Sequence, residues 1–238
     1  MIKSILIFLS FSPLLFSTQQ ILLVVADEFT SKHAKLEFFE DEKILFTTDV
    51  NLGENGLGWG LGEVSLLQKR DEPLKYEGDK KAPAGVFQLR EVFGYASRSE
   101  SNLPYFFASK ELICVDESAS VFYNQIIMKK GDEKSFEYMK RSDDQYLLGV
   151  VVAHNKEGKK GRGSCIFLHI EKEPNATTAG CSAMKKENLQ TIVRLLDKKK
   201  NPLLIQIPSS SAKEVLQLYP QLKKSNLLHP HHQKSLSQ

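Results

Sequence analysis

Apolar residues in this sequence come in short, β-branched runs with turn residues between them. Such runs bounded by Gly, Asn, Asp and Pro read as strands. QILLVVA at 20–26 is the first. AKLEFFEDEKILFTTDV at 34–50 alternates around a charged turn at 40–43, so these segments predict the opening strands of a meander. NLGENGLGWG at 51–60 is dense in glycine, with Asn55-Gly56 as a turn signal. A loop is expected at 82–85, with a strand from Val86. ELICVDE at 111–117, YLLGVVVAHN at 146–155, SCIFLHI at 164–170 and LLIQIP at 203–208 complete the strand-like set. Only MKKENLQTIVRLLDKKK at 184–200 places Leu189, Ile192, Val193, Leu195 and Leu196 at helical spacing. A shorter helix is predicted before Pro220. The class is therefore mainly β with a few helices, an α+β chain, with no internal repeat and no interdomain linker.

A chain of 238 residues suits one generous domain and can bury a core without metal or disulfide support. The formal charge is +3 and no basic block is interleaved with aromatic residues, so nucleic acid is not an expected partner. MIKSILIFLSFSPLLFSTQQ has one lysine, an apolar run from Ile5 to Phe16, then small and polar residues. That is the pattern of an export signal, expected to span 1–17. The apolar run is short for a membrane span, which needs about 20 residues. Membrane attachment would come only through an uncleaved signal. The domain is expected to cover 20–208, followed by a helix and a disordered, histidine-bearing tail over 209–238.

Export makes the three cysteines, Cys114, Cys165 and Cys181, informative, because thiols outside the cytoplasm tend to oxidise and an odd number leaves one over. Their spacing is not that of a zinc site, and no metal is expected. His169 ends an apolar strand, and Cys181 follows it by twelve positions in a glycine turn, immediately before the predicted helix. A helix N-terminus offers unpaired amides and a positive dipole end, which would lower a thiol's pKa and hold a developing oxyanion. Gly180 would let the chain turn sharply there. A nearby imidazole would take the thiol proton and return it to a leaving amine. From these residues alone, a core histidine and a buried filler cysteine are the favoured reading.

The segment His169…Thr178-Ala179-Gly180-Cys181 resembles the catalytic signature of the YkuD-type L,D-transpeptidase family: a strand ending in His, a loop, then Ser/Thr-x-Gly-Cys. APAGVF at 82–87 is similar to that family's strand entry, and LGENGLGWG, CVDE, FYNQII and GVVVAHN…GRGSCIFLHI look like one exported bacterial branch of it. The resemblance covers roughly residues 45 to 207. It implies an L,D-transpeptidase-like β-sandwich with Cys181 as nucleophile and His169 as general base. Thr178 and Gly180 would shape the oxyanion turn, and a backbone carbonyl beside the histidine would complete the triad. It implies peptidoglycan stem peptides as partners, no cofactor, a periplasmic or wall-associated location, and a monomer. Family members release D-alanine from tetrapeptide stems through an acyl-enzyme. An amine then forms a cross-link, or water gives an L,D-carboxypeptidase. A catalytically idle wall-binding protein is the alternative outside enzymes.

The sequence departs from that signature at two places. The commonest form has His where this chain has Ala179, and Arg where it has Ala183. Arg162, in the loop before the catalytic strand, is a candidate to replace the arginine at a substrate carboxylate. His154 and Asn155 are candidates to lie beside the substrate. Given export, Cys114 and Cys165 are the natural disulfide pair, with two unpaired buried thiols as the alternative. Trp59 is either a sugar platform or a packed residue, and Asp143-Asp144 fits a turn better than a catalytic pair.

Overall fold

A computed structural model describes residues 18–229. The expected signal at 1–17 and the tail from 230 onward lie outside the described residues. The chain is mainly β with two α-helices among the described residues. Its strands are β1 (Gln20–Ala26), β2 (His33–Glu40), β3 (Lys43–Asn51), β4 (Leu57–Trp59), β5 (Ala82–Gly94), β6 (Tyr105–Phe107) and β7 (Leu112–Val115). They continue with β8 (Ile126–Met128), β9 (Phe136–Tyr138), β10 (Leu148–Val152), β11 (Phe167–Ile170) and β12 (Ser182–Met184). Helix α1 (Lys186–Leu195), β13 (Leu203–Pro208) and α2 (Ala212–Leu218) complete the fold.

The large sheet runs β10-β11-β12-β3-β2-β1-β13-β5, and β5 pairs back onto β10. The sheet therefore closes into a β-barrel, where the sequence led us to expect a two-layer sandwich. Closure depends on the length of β5. Ala82–Gly85, expected to be a loop, is its first turn of pairing: it lies parallel to β4 and Gly85 faces Gln206 of β13. Further along, Leu89 and Val92–Gly94 pair with β10. One strand thus serves two neighbours over different halves of its length, and no edge is left between them.

β1 is buried along its whole length between antiparallel β2 and parallel β13, which accounts for its unbroken apolar sequence. The segment after β13, expected to include a disordered tail, is packed through residue 228. Leu222 and Leu228 are buried, and Glu37 of β2 accepts hydrogen bonds from Ser225 Oγ (2.7 Å) and the Asn226 backbone N–H (3.2 Å). α1 turns Leu189, Ile192 and Val193 into the main core, as its helical spacing predicts.

The three-stranded sheet β8-β7-β9 stands apart from the barrel. The Cys114–Cys165 disulfide ties it down, joining β7 to the residues that enter β11. Alternation along β11 separates two apolar clusters: Leu168 and Ile170 face the main core, and Phe167 faces a second cluster with Phe93, Met139, Tyr146 and all three cysteines. That second cluster is the packing beneath the cap formed by β7, β8 and β9, and it contains the site.

Candidate active site

β11 and β12 are parallel neighbours, with Leu168 opposite Ser182 and His169 opposite Ala183. Cys181 immediately precedes β12, one step before that register. His169 and Cys181 therefore point to the same face of adjacent strands, offset by one side-chain repeat. Sequence spacing alone does not relate the two; the parallel pairing of β11 with β12 sets them on one face.

The expected position of Cys181 at a helix N-terminus is corrected by β12. Ser182–Met184 is drawn into the sheet between β11 and β3, and helix α1 begins only at Lys186. The small Ala183 and the buried Met184 suit a short central strand, and Ser182 Oγ donates to Gln206 Oε1 at 2.8 Å. The thiol consequently gains nothing from a helix dipole, which falls off within one turn. Burial instead pushes its pKa up to about 12, with Glu137 adding to the effect. The Phe167 amide donates to Sγ at 3.3 Å, and Sγ donates to the Cys165 carbonyl at 3.5 Å. The resting group is a protonated thiol, 8 % exposed.

The turn before the thiol is held by Thr178, whose hydroxyl donates to the Cys181 carbonyl (2.6 Å) and accepts from the Gly180 amide (3.1 Å). Gly180 N–H is thereby occupied within the turn and is not a free oxyanion donor in this state. Gly180 has φ +144, and a Cβ there would sit 3.2 Å from the Lys81 carbonyl and 3.5 Å from Lys75 Nζ.

His169 is buried, and its Nδ1 lies 2.8 Å from the Ile170 carbonyl. A carbonyl can only accept, so Nδ1 carries the proton and Nε2 keeps its lone pair. Burial holds the imidazole pKa down at about 4, so it is neutral at pH 7. Among the described residues no hydrogen bond joins His169 to Sγ. The ring packs edge-on against Tyr146 at 5.5 Å.

The cap contributes groups that sequence patterns did not point to. Tyr146 donates to Glu137 Oε2 at 2.6 Å, and desolvation raises the carboxyl's pKa. Arg141 lies over the Tyr146 ring at 5.1 Å and makes a two-pronged bond to Asp143, each contact 2.9 Å. That pairing is the main reason the Asp143 carboxyl drops to about 2, and it accounts for the aspartate as part of a turn. Lys75, nearly fully buried, pairs with Asp79 at 2.6 Å beside Gly180. Tyr146 opens a strand-like run, but nothing in the sequence of Glu137, Arg141 or Lys75 points to the thiol, and only the folded chain joins them to Cys181.

The other expected site residues form a separate brace. His154 is buried with Nδ1 accepting from the Leu61 amide (3.2 Å) and Nε2 donating to the Arg162 carbonyl (2.8 Å). Asn155, at φ +49, donates to the carbonyls of Lys159 and Gly163. Arg162 donates to the Lys75 carbonyl at 3.1 Å and stacks on Tyr76. Their polar groups organise the glycine-rich loop. Trp59 is packed against Phe29 and donates to Glu72 at 2.7 Å, which leaves its face no sugar platform. Cys114 and Cys165 are bonded and Cys181 is free, as expected for an exported chain. Among the described residues there is no cluster suited to a metal ion, and no helix is long and apolar enough to cross a membrane.

No family model matches the chain, and no curated protein or solved structure is significantly similar to it.

Proposed function

We propose that the protein is a cysteine acyl-transferase acting on peptidoglycan stem peptides, an L,D-transpeptidase, with Cys181 as nucleophile and His169 as general base. The observation carrying this reading is the pairing of a free thiol with an oriented imidazole on one face of β11 and β12. The Ile170 carbonyl fixes the tautomer that leaves Nε2 able to accept a proton, the part such a carbonyl plays in a triad. The thiol attacks the carbonyl of the third stem residue as Nε2 takes its proton. The imidazolium then protonates the departing D-alanine amine, leaving a thioester. An acceptor amine or water resolves it. Because thiol and imidazole are both neutral at rest, the proton moves during attack and not before it.

The near-closure of the thiol beneath the cap favours a second reading, L,D-carboxypeptidase, since water reaches an enclosed thioester more easily than a second stem does. The disulfide is compatible with an exported, wall-associated location.

Digestion of purified tetrapeptide muropeptides tests both. Released D-alanine with cross-linked product marks a transpeptidase; tripeptide alone marks a carboxypeptidase. Cys181→Ala is expected to abolish either product while keeping the wild-type fold. Full activity in that variant rules the mechanism out, and no turnover by the wild type leaves the wall-binding alternative or a substrate other than a muropeptide.

A further inference from the structure

We infer that the Cys114–Cys165 disulfide and Asn124 are positioning groups for the Cys181 thiol: together they hold Cys165 in a turn whose carbonyl and following amide clasp Sγ. This rests on the reading of Cys181 as the reactive thiol. Cys165 has φ +54, a left-handed conformation that a residue with a Cβ adopts only when its surroundings impose it. Two tethers impose it here, and a clasp on the thiol results. Its amide donates to Asn124 Oδ1 at 2.9 Å. Its side chain is bonded to Cys114 on β7 of the cap. Its carbonyl accepts from Cys181 Sγ at 3.5 Å, two residues before the Phe167 amide that donates to the same sulfur. Asn124 is anchored in turn, because Nδ2 donates to the carbonyls of His154 and Asn155, each at 2.8 Å. The buried His154–Asn155 brace, which does not reach the thiol itself, acts on it through Asn124 and Cys165.

The clasp has a direction. A carbonyl acceptor stabilises S–H, and an amide donor stabilises S⁻. Cys165 belongs to the first kind, so fixing its carbonyl on Sγ adds to the burial that keeps the thiol protonated under the cap. Release of either tether lets the turn relax to an ordinary φ, swings the carbonyl away and leaves the Phe167 amide as the remaining partner. The cap, the disulfide and the resting state of the nucleophile are then one device.

The test measures the alkylation rate of Cys181 by iodoacetamide against pH, from 7 to 10.5, by mass spectrometry of its peptide. The other titratable or charged groups around the thiol are Glu137 and Arg141 from the cap, Tyr146, Lys75 and His169, and all remain in every arm. Asn124→Gly suits the left-handed backbone of Asn124 (φ +63) and removes only the side-chain tether, with the disulfide checked intact by mass. In wild type the rate should still be climbing at the top of the range. In Asn124→Gly the profile should shift to lower pH by about one unit, making alkylation about tenfold faster at a fixed pH below the midpoint. Wild type treated with dithiothreitol, whose two thiols become a disulfide as Cys114 and Cys165 each gain a hydrogen, should shift the same way. A cap that merely opened would relieve the burial of the thiol and raise the rate as well, so hydrogen exchange of the cap segment 112–138 is followed in Asn124→Gly: a faster thiol with exchange as slow as in wild type supports the clasp, and faster exchange of the cap overturns it. An unshifted profile in folded Asn124→Gly, or in the reduced wild type, overturns the inference. Alkylation reads the thiol directly, so this outcome is independent of whether muropeptides are turned over.

Discussion

Gly180 shows how closely the backbone is committed around the thiol. Its φ of +144 lies in a region that other L residues rarely adopt, and the space its missing Cβ leaves is already bordered by the Lys81 carbonyl and the buried Lys75 ammonium. Gly180→Ala is therefore expected to cost about 1–3 kcal/mol, the range for a residue forced into a sparsely populated conformation. Urea denaturation measures it, and a loss under about 0.5 kcal/mol, the level of an ordinary surface change, contradicts the argument. The residues on either side carry different duties. Thr178 closes the turn through its hydroxyl, and Cys181 exchanges bonds with strand β11 on the far side. The expectation of a thiol activated by a helix end failed for a local reason: three residues with small or flexible side chains, Ser182, Ala183 and Met184, pair as a strand before the helix can begin.

At the scale of elements, the cap is held to the barrel by one covalent bond, one apolar cluster and the hydrogen bonds of Glu137 and Asn124. The disulfide closes a loop of 51 residues, so the paired change Cys114→Ser, Cys165→Ser is expected to remove about 4 kcal/mol in the chain-entropy model. Denaturant titration of the double variant checks this, and unchanged stability would mean that the cluster of Phe93, Met139, Tyr146 and Phe167 alone fixes the cap. The elements divide cleanly into those legible in the sequence and those that were not. β1, β10 and β13 show as apolar runs and α1 as a helical stripe, because each carries its own periodicity. The closing of the sheet was not legible, since it depends on β5 meeting both β13 and β10, a matter of register between distant segments. Cys181 and His169, the proposed nucleophile and base, were visible as residue types, and their resemblance to a known signature was visible in order. The roles of Glu137, Arg141 and Tyr146 were not, because Glu137 lies on a three-residue cap strand too short to show alternation and the other two lie in the turn that follows it.

For the whole molecule, burying ionisable groups in their neutral forms sets the pH range in which the fold is stable. His154 and His169 both fall from an ordinary 6.5 to about 4, in each case first through burial. Between those values the unfolded chain binds protons that the folded chain refuses, so the stability they supply is fully present above pH 6.5 and is lost as pH falls toward 4. With both imidazoles the slope approaches about 2.7 kcal/mol per pH unit, twice the figure for one proton. Glu137 acts in the opposite sense: its raised carboxyl pKa gives a contribution present below the ordinary 4.5 and lost as pH climbs past it, which trims that slope. Asp143, lowered to about 2, matters only below its ordinary 3.8. On the alkaline side Cys181 acts first, because a thiol raised from 9.0 to about 12 stabilises the fold below pH 9 and loses that contribution as pH rises through 12, and the buried Tyr123 and Tyr146 phenols, raised from 10.0, act in the same sense above pH 10. Stability should therefore be greatest from about pH 6.5 to 9. Urea titrations at half-unit steps from pH 4.5 to 8 should show a steep fall below 6.5. In His154→Gln, where the glutamine amide can still donate toward the Arg162 carbonyl, the fall should be about half as steep. Equal slopes in the two proteins, or a wild-type curve flat to pH 4.5, would mean that the two imidazoles do not remain neutral in the folded chain.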